Sequence, residues 1–236
     1  MSVQGLAKRT TYPDYWTINE QKRLVSEKIW YWFGVSVVNL FARMKLDMDV
    51  AWHTPMPHGP KILAANHPTT VDPFLIMTLV PEQISILVTE GAFKVPLIGG
   101  CIRRGGHIPV VFGEGGKVFE NARKMLAIGR TIGIFPEGSL SVLGGKRPKP
   151  RTGAARLALK SGAPVIPIGI ALDYDRIRFV DLPENGNNVE ARFYTRGPYT
   201  VSVGEPMWFK GDVEDRQLVR ATAEQIMDQI LLLSRH

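Results

Sequence analysis

The sequence predicts an α/β protein: a mixed, largely parallel sheet flanked by helices, with an N-terminal membrane-associating helical segment in front of it. Three observations predict it. Short apolar runs of β type (KILAAN, ISILVT, HIPVVF, TIGIF, APVIPIGIAL) recur from Lys61 onward, helix-forming stretches separate most of them, and an aromatic-rich apolar stretch, IWYWFGVSVVNLFA, precedes them all. Short apolar strands alternating with helices are the pattern of strands that run parallel and are covered on their faces.

In chain order, residues 1 to about 50 read as helical with an apolar centre, and the proline-rich loop His53–Pro60 separates them from the rest. This divides the chain into a helical membrane-associating segment, 1–50, and an α/β domain, 51–236. Beyond the loop come the strand KILAAN, a helix from Pro73 to Val80, ISILVT, a glycine-rich link, HIPVVF, a helix from Gly116 to Gly129, and TIGIF. A helix Thr152–Gly162 ends on a glycine C-cap. The strand after it carries Pro164 and Pro167, which suggests an edge or strand-end position. Two strands turning at Arg196-Gly197-Pro198 and a terminal amphipathic helix, Asp212–Leu233, complete the reading.

Bulk properties narrow the function. At 236 residues, 44% hydrophobic and 22% charged, the chain has the composition of a folded protein with a real core. A formal charge of +7 favours polyanionic partners. Nucleic acid is not expected among them, because the cations are not interleaved with aromatics in any binding module. The single cysteine, Cys101, excludes an intramolecular disulfide and fits a reducing compartment. His53, His58, His107 and His236 form no metal-ligand spacing with it, so no metal is expected.

The polar N-terminus does not read as a secretion signal. Ile29–Ala42 is shorter than the roughly 20 residues that span a bilayer. Lys28, Arg43 and Lys45 flank it, the pattern of an interfacial or re-entrant anchor, while a buried core helix would read the same way. The expected location is a membrane surface, on its cytoplasmic face.

Chemistry concentrates in NHPTTVD and FPEGSLS, each directly after an apolar strand. His67 therefore lies at the carboxyl edge of the sheet, where open α/β folds place their ligand crevice. Asp72 before Pro73 is a good N-cap with proline at the first helical position. The intervening turn can also fold its carboxylate back to the imidazole, making His67 a general base with a fixed tautomer. Glu137 occupies on its own strand the position that His67 occupies on its strand.

These blocks resemble those of the glycerolipid acyltransferases of the 1-acylglycerol-3-phosphate acyltransferase type. NHPTTVD is similar to the family's Asn-His-x4-Asp block, FPEGSLS to its Phe-Pro-Glu-Gly-Thr-x-Ser block, APVIPIGI to its final block, and FKVPLIGGCIRRGGHIPV to its second, over about Lys61 to Ile170. The resemblance implies direct transfer of a fatty acyl group from acyl-CoA or acyl carrier protein to a lysophospholipid hydroxyl. The most expected acceptor is 1-acyl-sn-glycerol-3-phosphate, giving phosphatidate. His67 would be the base and Asp72 its support, with no cofactor beyond the acyl thioester co-substrate.

Glu137, Gly138 and Ser139 are carried over as acceptor-binding residues. Where the family often has an arginine, this chain has Leu140, and none stands at Val110–Gly113. The cations available instead are Arg103, Arg104 and Arg151 for the acceptor, and Lys146, Arg147 and Lys149 for the thioester's anionic groups. The expected partners are the bilayer, the lysophospholipid and the acyl carrier. Three alternatives use the same residues: an acyltransferase for a different lysolipid or polar-lipid hydroxyl, a thioesterase-like hydrolase with water as acceptor, and a non-catalytic lipid-binding protein.

Overall fold

The computed structural model describes residues 18–95, 98–142, 147–184 and 187–235. A long helix, α1 (Ile18–Lys45), runs into strand β1 (Leu46–Trp52). Then come β2 (Ile62–Ala65), α2 (Asp72–Ile76), β3 (Ile84–Thr89), α3 (Ile98–Arg104), β4 (Ile108–Val110), α4 (Gly115–Ala127) and β5 (Thr131–Ile134). The chain continues through α5 (Gly153–Ser161), β6 (Val165–Leu172), β7 (Arg178–Glu184), β8 (Asn187–Phe193), β9 (Gly197–Val203) and α6 (Arg216–Leu233).

Seven strands form one sheet in the order β1-β9-β6-β2-β5-β3-β4. From β6 to β4 every neighbour is parallel; β9 is antiparallel to β6, and β1 is parallel to β9. Strand alternation sorts the core into two clusters. Leu63 and Ala65 of β2 face α1 and α2, whereas Ile62 and Ala64 face the layer of α4, α5 and α6. The expected mixed, largely parallel sheet flanked by helices is thus observed.

Several expectations are corrected. The boundary expected near residue 50 falls inside β1, which pairs along its whole length with β9, Leu46 opposite Gly197 and Trp52 opposite Val203. Of the edge or strand-end position expected from Pro164 and Pro167, the edge is not found, since β6 is internal, whereas Pro164 does lie at the strand's end, just before Val165. Pro167 is tolerated because the β9 ladder begins only at Ile168, and the Pro167 carbonyl accepts a hydrogen bond from the Gly204 N–H, 2.9 Å. The two strands expected to turn at Arg196-Gly197-Pro198 do not pair. β8 joins β7, a strand not foreseen, in a separate antiparallel ribbon, while β9 enters the main sheet. α2 stops at Ile76, short of Val80.

Helix α1 has two apolar faces. Tyr31, Val35 and Ala42 are buried against the sheet, while Val25, Ile29, Phe33, Val37, Leu40 and Met44, spaced three or four apart, are 51–68% exposed. At 1.5 Å per residue this outer stripe is about 28 Å long. Near its start, Glu27 forms a largely buried ion pair with Arg130, 2.7 Å, at the entry to β5. The Tyr31 hydroxyl accepts the Ile84 N–H, and burial pushes the phenol up to about 12. Since Leu46 lies opposite Gly197 and Tyr199 lies opposite Leu172, α1 runs from the amino edge of the parallel strands to their carboxyl edge.

His107 gives the fold a pH dependence. Its Nδ1 accepts the Ile86 N–H at 3.2 Å, and burial, then Arg130, lowers its pKa from 6.5 to about 4. Between those values the unfolded chain binds a proton that the native chain does not, so stability falls as pH drops from 6.5 toward 4. The loss contributes up to about 3 kcal/mol. Melting temperatures between pH 7 and 4 should show this decline, and His107→Asn should flatten it; an unchanged slope would assign the decline to other groups.

Candidate active site

β2 and β5 are adjacent, with Ala64 opposite Ile134, so the loops after them leave the sheet side by side. Asn66 fixes the first: its side-chain amide exchanges two hydrogen bonds with Ile170, Nδ2 to O at 2.9 Å and N to Oδ1 at 2.7 Å, extending the β2–β6 ladder. His67 follows. Its backbone N–H points at Glu137 Oε1 and Ser141 Oγ, both at 3.0 Å, and its carbonyl accepts the Ser141 N–H at 2.8 Å. The Ser141 hydroxyl donates to Glu137 Oε1 at 2.5 Å. The two blocks read from sequence are therefore stitched into one surface.

Asp72 is fully buried, and its carboxylate faces His67. Nδ1 of His67 lies 3.0 Å from Asp72 Oδ2, which also accepts the Thr69 N–H at 2.7 Å. Oδ1 accepts the Thr69 hydroxyl at 2.5 Å and the Tyr199 hydroxyl at 2.8 Å. The expected N-cap role is corrected: the Phe74 and Leu75 N–H groups bond the Val71 carbonyl, and the Asp72 carboxylate caps nothing. Burial and the neighbouring Asp72 hold the Tyr199 phenol well above its usual pKa, so it remains a donor.

With Nδ1 donating to a carboxylate, Nε2 of His67 is left as the acceptor. The ring stacks on Phe135, centroids 4.2 Å apart, which fixes its plane. An accepted proton would be stabilised by the carboxylate behind it. The arrangement can therefore take a proton from a hydroxyl and return it to a leaving group.

The other expected site residues divide. Gly138 has φ +72°, and a Cβ there would come 2.1 Å from Arg151 Nε, so only glycine lets the arginine lie across the turn. Arg151 is thus beside Glu137–Ser141. Ser139 is exposed and its hydroxyl reaches only the Leu140 carbonyl, at 3.4 Å.

Arg103 and Arg104 are not brought to His67. They end α3, whose following residues Gly105 and Gly106 bond Gln83 and Ser85 at the opposite edge of the sheet. Arg103 donates to the Phe93 carbonyl, and Arg104 lies over Trp30, 5.0 Å from its centroid. Arg147, half exposed, pairs with Glu224 and Asp228 of α6, 2.6 Å each, which raise its pKa further, and it lines the cavity beside the two blocks. Lys149 is exposed, and Lys146 lies outside the described residues.

Sequence reasoning missed three groups. Thr69 and Tyr199 complete the shell of Asp72. Arg192 of β8, nine-tenths buried, donates from Nη1 to the Ser141 carbonyl at 2.6 Å and from Nε to Glu190 at 2.8 Å. Its backbone is paired with Thr70, so the β7–β8 ribbon is docked on both blocks. A cavity of about 1070 Å³ opens beside them, lined by Asn66, Glu137, Ser141, Tyr174 and Phe179 on one side and the end of α6 on the other.

A histidine base backed by a buried carboxylate, at the carboxyl edge of an open α/β sheet and beside a large cavity, places the protein among enzymes that activate a hydroxyl for group transfer. More specifically, the chain belongs to the Acyltransferase family, whose model matches residues 48–171 and so spans both blocks. Among solved structures, it matches the crystal structure of the 1-acyl-sn-glycerophosphate (LPA) acyltransferase PlsC from Thermotoga maritima. The TM-score is 0.59 and the identity 22%, over 94% of this chain and 85% of that one, a likeness of fold. No curated protein matches the sequence. Among the described residues, no group of His, Cys, Asp or Glu could hold a metal ion.

Proposed function

We propose that the protein transfers a fatty acyl group from acyl-CoA or acyl carrier protein to the free hydroxyl of a lysophospholipid, most specifically 1-acyl-sn-glycerol-3-phosphate, giving phosphatidate at a membrane surface. The single observation that carries it is the imidazole of His67 held by fully buried Asp72. Nε2 removes the acceptor's hydroxyl proton as the oxygen attacks the thioester carbonyl. The tetrahedral intermediate then collapses, the C–S bond breaks, and the proton passes from His67 to the departing sulfur. The new ester and a free thiol are the products.

No acyl-enzyme is required. Ser141 is held between the His67 N–H and Glu137, which disfavours it as a nucleophile. The supporting observation for an acceptor dissolved in a bilayer is the outer stripe of α1, bordered by Lys28, Arg43 and Lys45. Among the described residues no helix is long and apolar enough to cross a membrane, so α1 would lie in the interface.

The chemistry is tested by free-thiol release from a long-chain acyl thioester. Release in proportion to added lysophosphatidate is expected; release without an acceptor would make the protein a hydrolase, and none at all a binding protein. The interface is tested by changing Ile29, Phe33 and Leu40 together to glutamate. Co-sedimentation with anionic vesicles should fall by at least about tenfold with the melting temperature held. Unchanged binding would place the contact elsewhere.

A further inference from the structure

The active-site edge contains one buried guanidinium that the chemistry above does not use. Taking Arg192 out of water is costly, and its one carboxylate partner among the described residues, Glu190, is half exposed. Of its five N–H donors, Nε is directed to Glu190 and Nη1 to the Ser141 carbonyl, while Nη2 has no acceptor among the described residues. No buried side-chain nitrogen or oxygen among them lacks a partner, so Nη2 opens on accessible space. The guanidinium lies over the Phe179 ring, 5.8 Å from its centroid, and both Phe179 and Ser141 line the large cavity. Through Ser141, whose carbonyl Arg192 holds and whose hydroxyl donates to Glu137, the guanidinium is one residue removed from the Glu137 carboxylate.

Other cations have partners of their own: Arg147, which lines the far side of the same cavity, with Glu224 and Asp228 of α6, Arg103 and Arg104 with Phe93 and Trp30, and Arg176 with Asp173. We propose that Arg192 reads the anionic headgroup of the acceptor, its Nη2 donating to a phosphate oxygen at the cavity end bounded by Glu137, Ser141 and Phe179. Arg151, lying across Gly138, stands at the other end of the same turn. The contact comes from β8, beyond the residues that the family model matches, and so would be a selectivity element belonging to this chain's ribbon. The inference rests on the acyltransferase reading for the name of the ligand, and on the geometry alone for the anion.

The test compares binding of lysophosphatidate with that of its uncharged counterpart, monoacylglycerol, in mixed micelles of fixed composition. It uses the full chain as wild type, Arg192→Gln and Arg192→Lys. The preference for lysophosphatidate is expected to fall at least about tenfold in the glutamine variant, with part of it kept by lysine. Each variant is its own reference, so a general loosening of the loop lowers both affinities and leaves their ratio. An unchanged ratio would make Arg192 a clamp for Ser141 and overturn the proposal. So would a change seen only in the preference for acyl-CoA over acyl-pantetheine, since the phosphate read would then be the donor's. Turnover on the same samples separates the two levels: Arg192-dependent binding without acyl transfer would sink the transferase reading and uphold the anion contact.

Discussion

Replacing His67 by alanine is expected to reduce acyl transfer by roughly 10²–10⁴-fold, the contribution of a positioned general base. The ring's proton acceptor is both oriented and backed by a buried carboxylate: Nδ1 is taken by Asp72 and the plane is set by Phe135. The backbone of residue 67 keeps its bonds to Glu137 and Ser141 in the variant, so the two blocks stay joined. Lipid binding and melting temperature should therefore change little while thiol release collapses. Retention of near-wild-type turnover by a folded variant would remove His67 from the chemistry.

Asp72→Asn is expected to be comparably damaging, on the order of 10⁴-fold, the scale seen when a carboxylate that orients a catalytic histidine is converted to an amide. Four donors converge on this carboxylate: the Thr69 N–H and hydroxyl, the Tyr199 hydroxyl and the His67 ring. An amide offers only one oxygen, so its NH₂ group must face at least one of those donors. Facing His67, it would reverse the ring's tautomer and turn Nε2 into a donor. In that same Oδ2 position it would also leave the buried Thr69 N–H without an acceptor, at about 1–3 kcal/mol. Loss of both turnover and stability is the expected pattern. Because the helix is not capped by this side chain, wild-type turnover in the asparagine variant would contradict the base-supporting role.

Much of the parallel half of the sheet was legible, because β2, β3, β5 and β6 are short apolar runs set off by helices with clear start and stop signals. The pairing of His67 with Asp72 was legible too, since a turn of four residues, Pro68 to Val71, joins them. What escaped lies far apart in sequence: Tyr199 stands 127 residues from Asp72, and Arg192 stands 51 from Ser141. Neither sits in a pattern that differs from an ordinary strand residue. The polar strand β7, RFVDLPE, lacks an apolar run because it belongs to a two-stranded ribbon outside the main sheet. Arg103 and Arg104 were placed near the site by closeness in sequence to a motif, but α3 runs back along the sheet and carries them to the far edge.

The two-faced character of α1 has a practical consequence for anyone wanting to remove its exposed apolar stripe. Cutting the helix away would unroof the sheet, exposing the surface that Tyr31, Val35 and Ala42 cover and stranding Arg130 without Glu27. It would also remove the lead-in to β1, which closes the outer edge of β9, the strand that carries Tyr199. That stripe can be changed only residue by residue, because the same turns of helix that carry it also form a wall of the core.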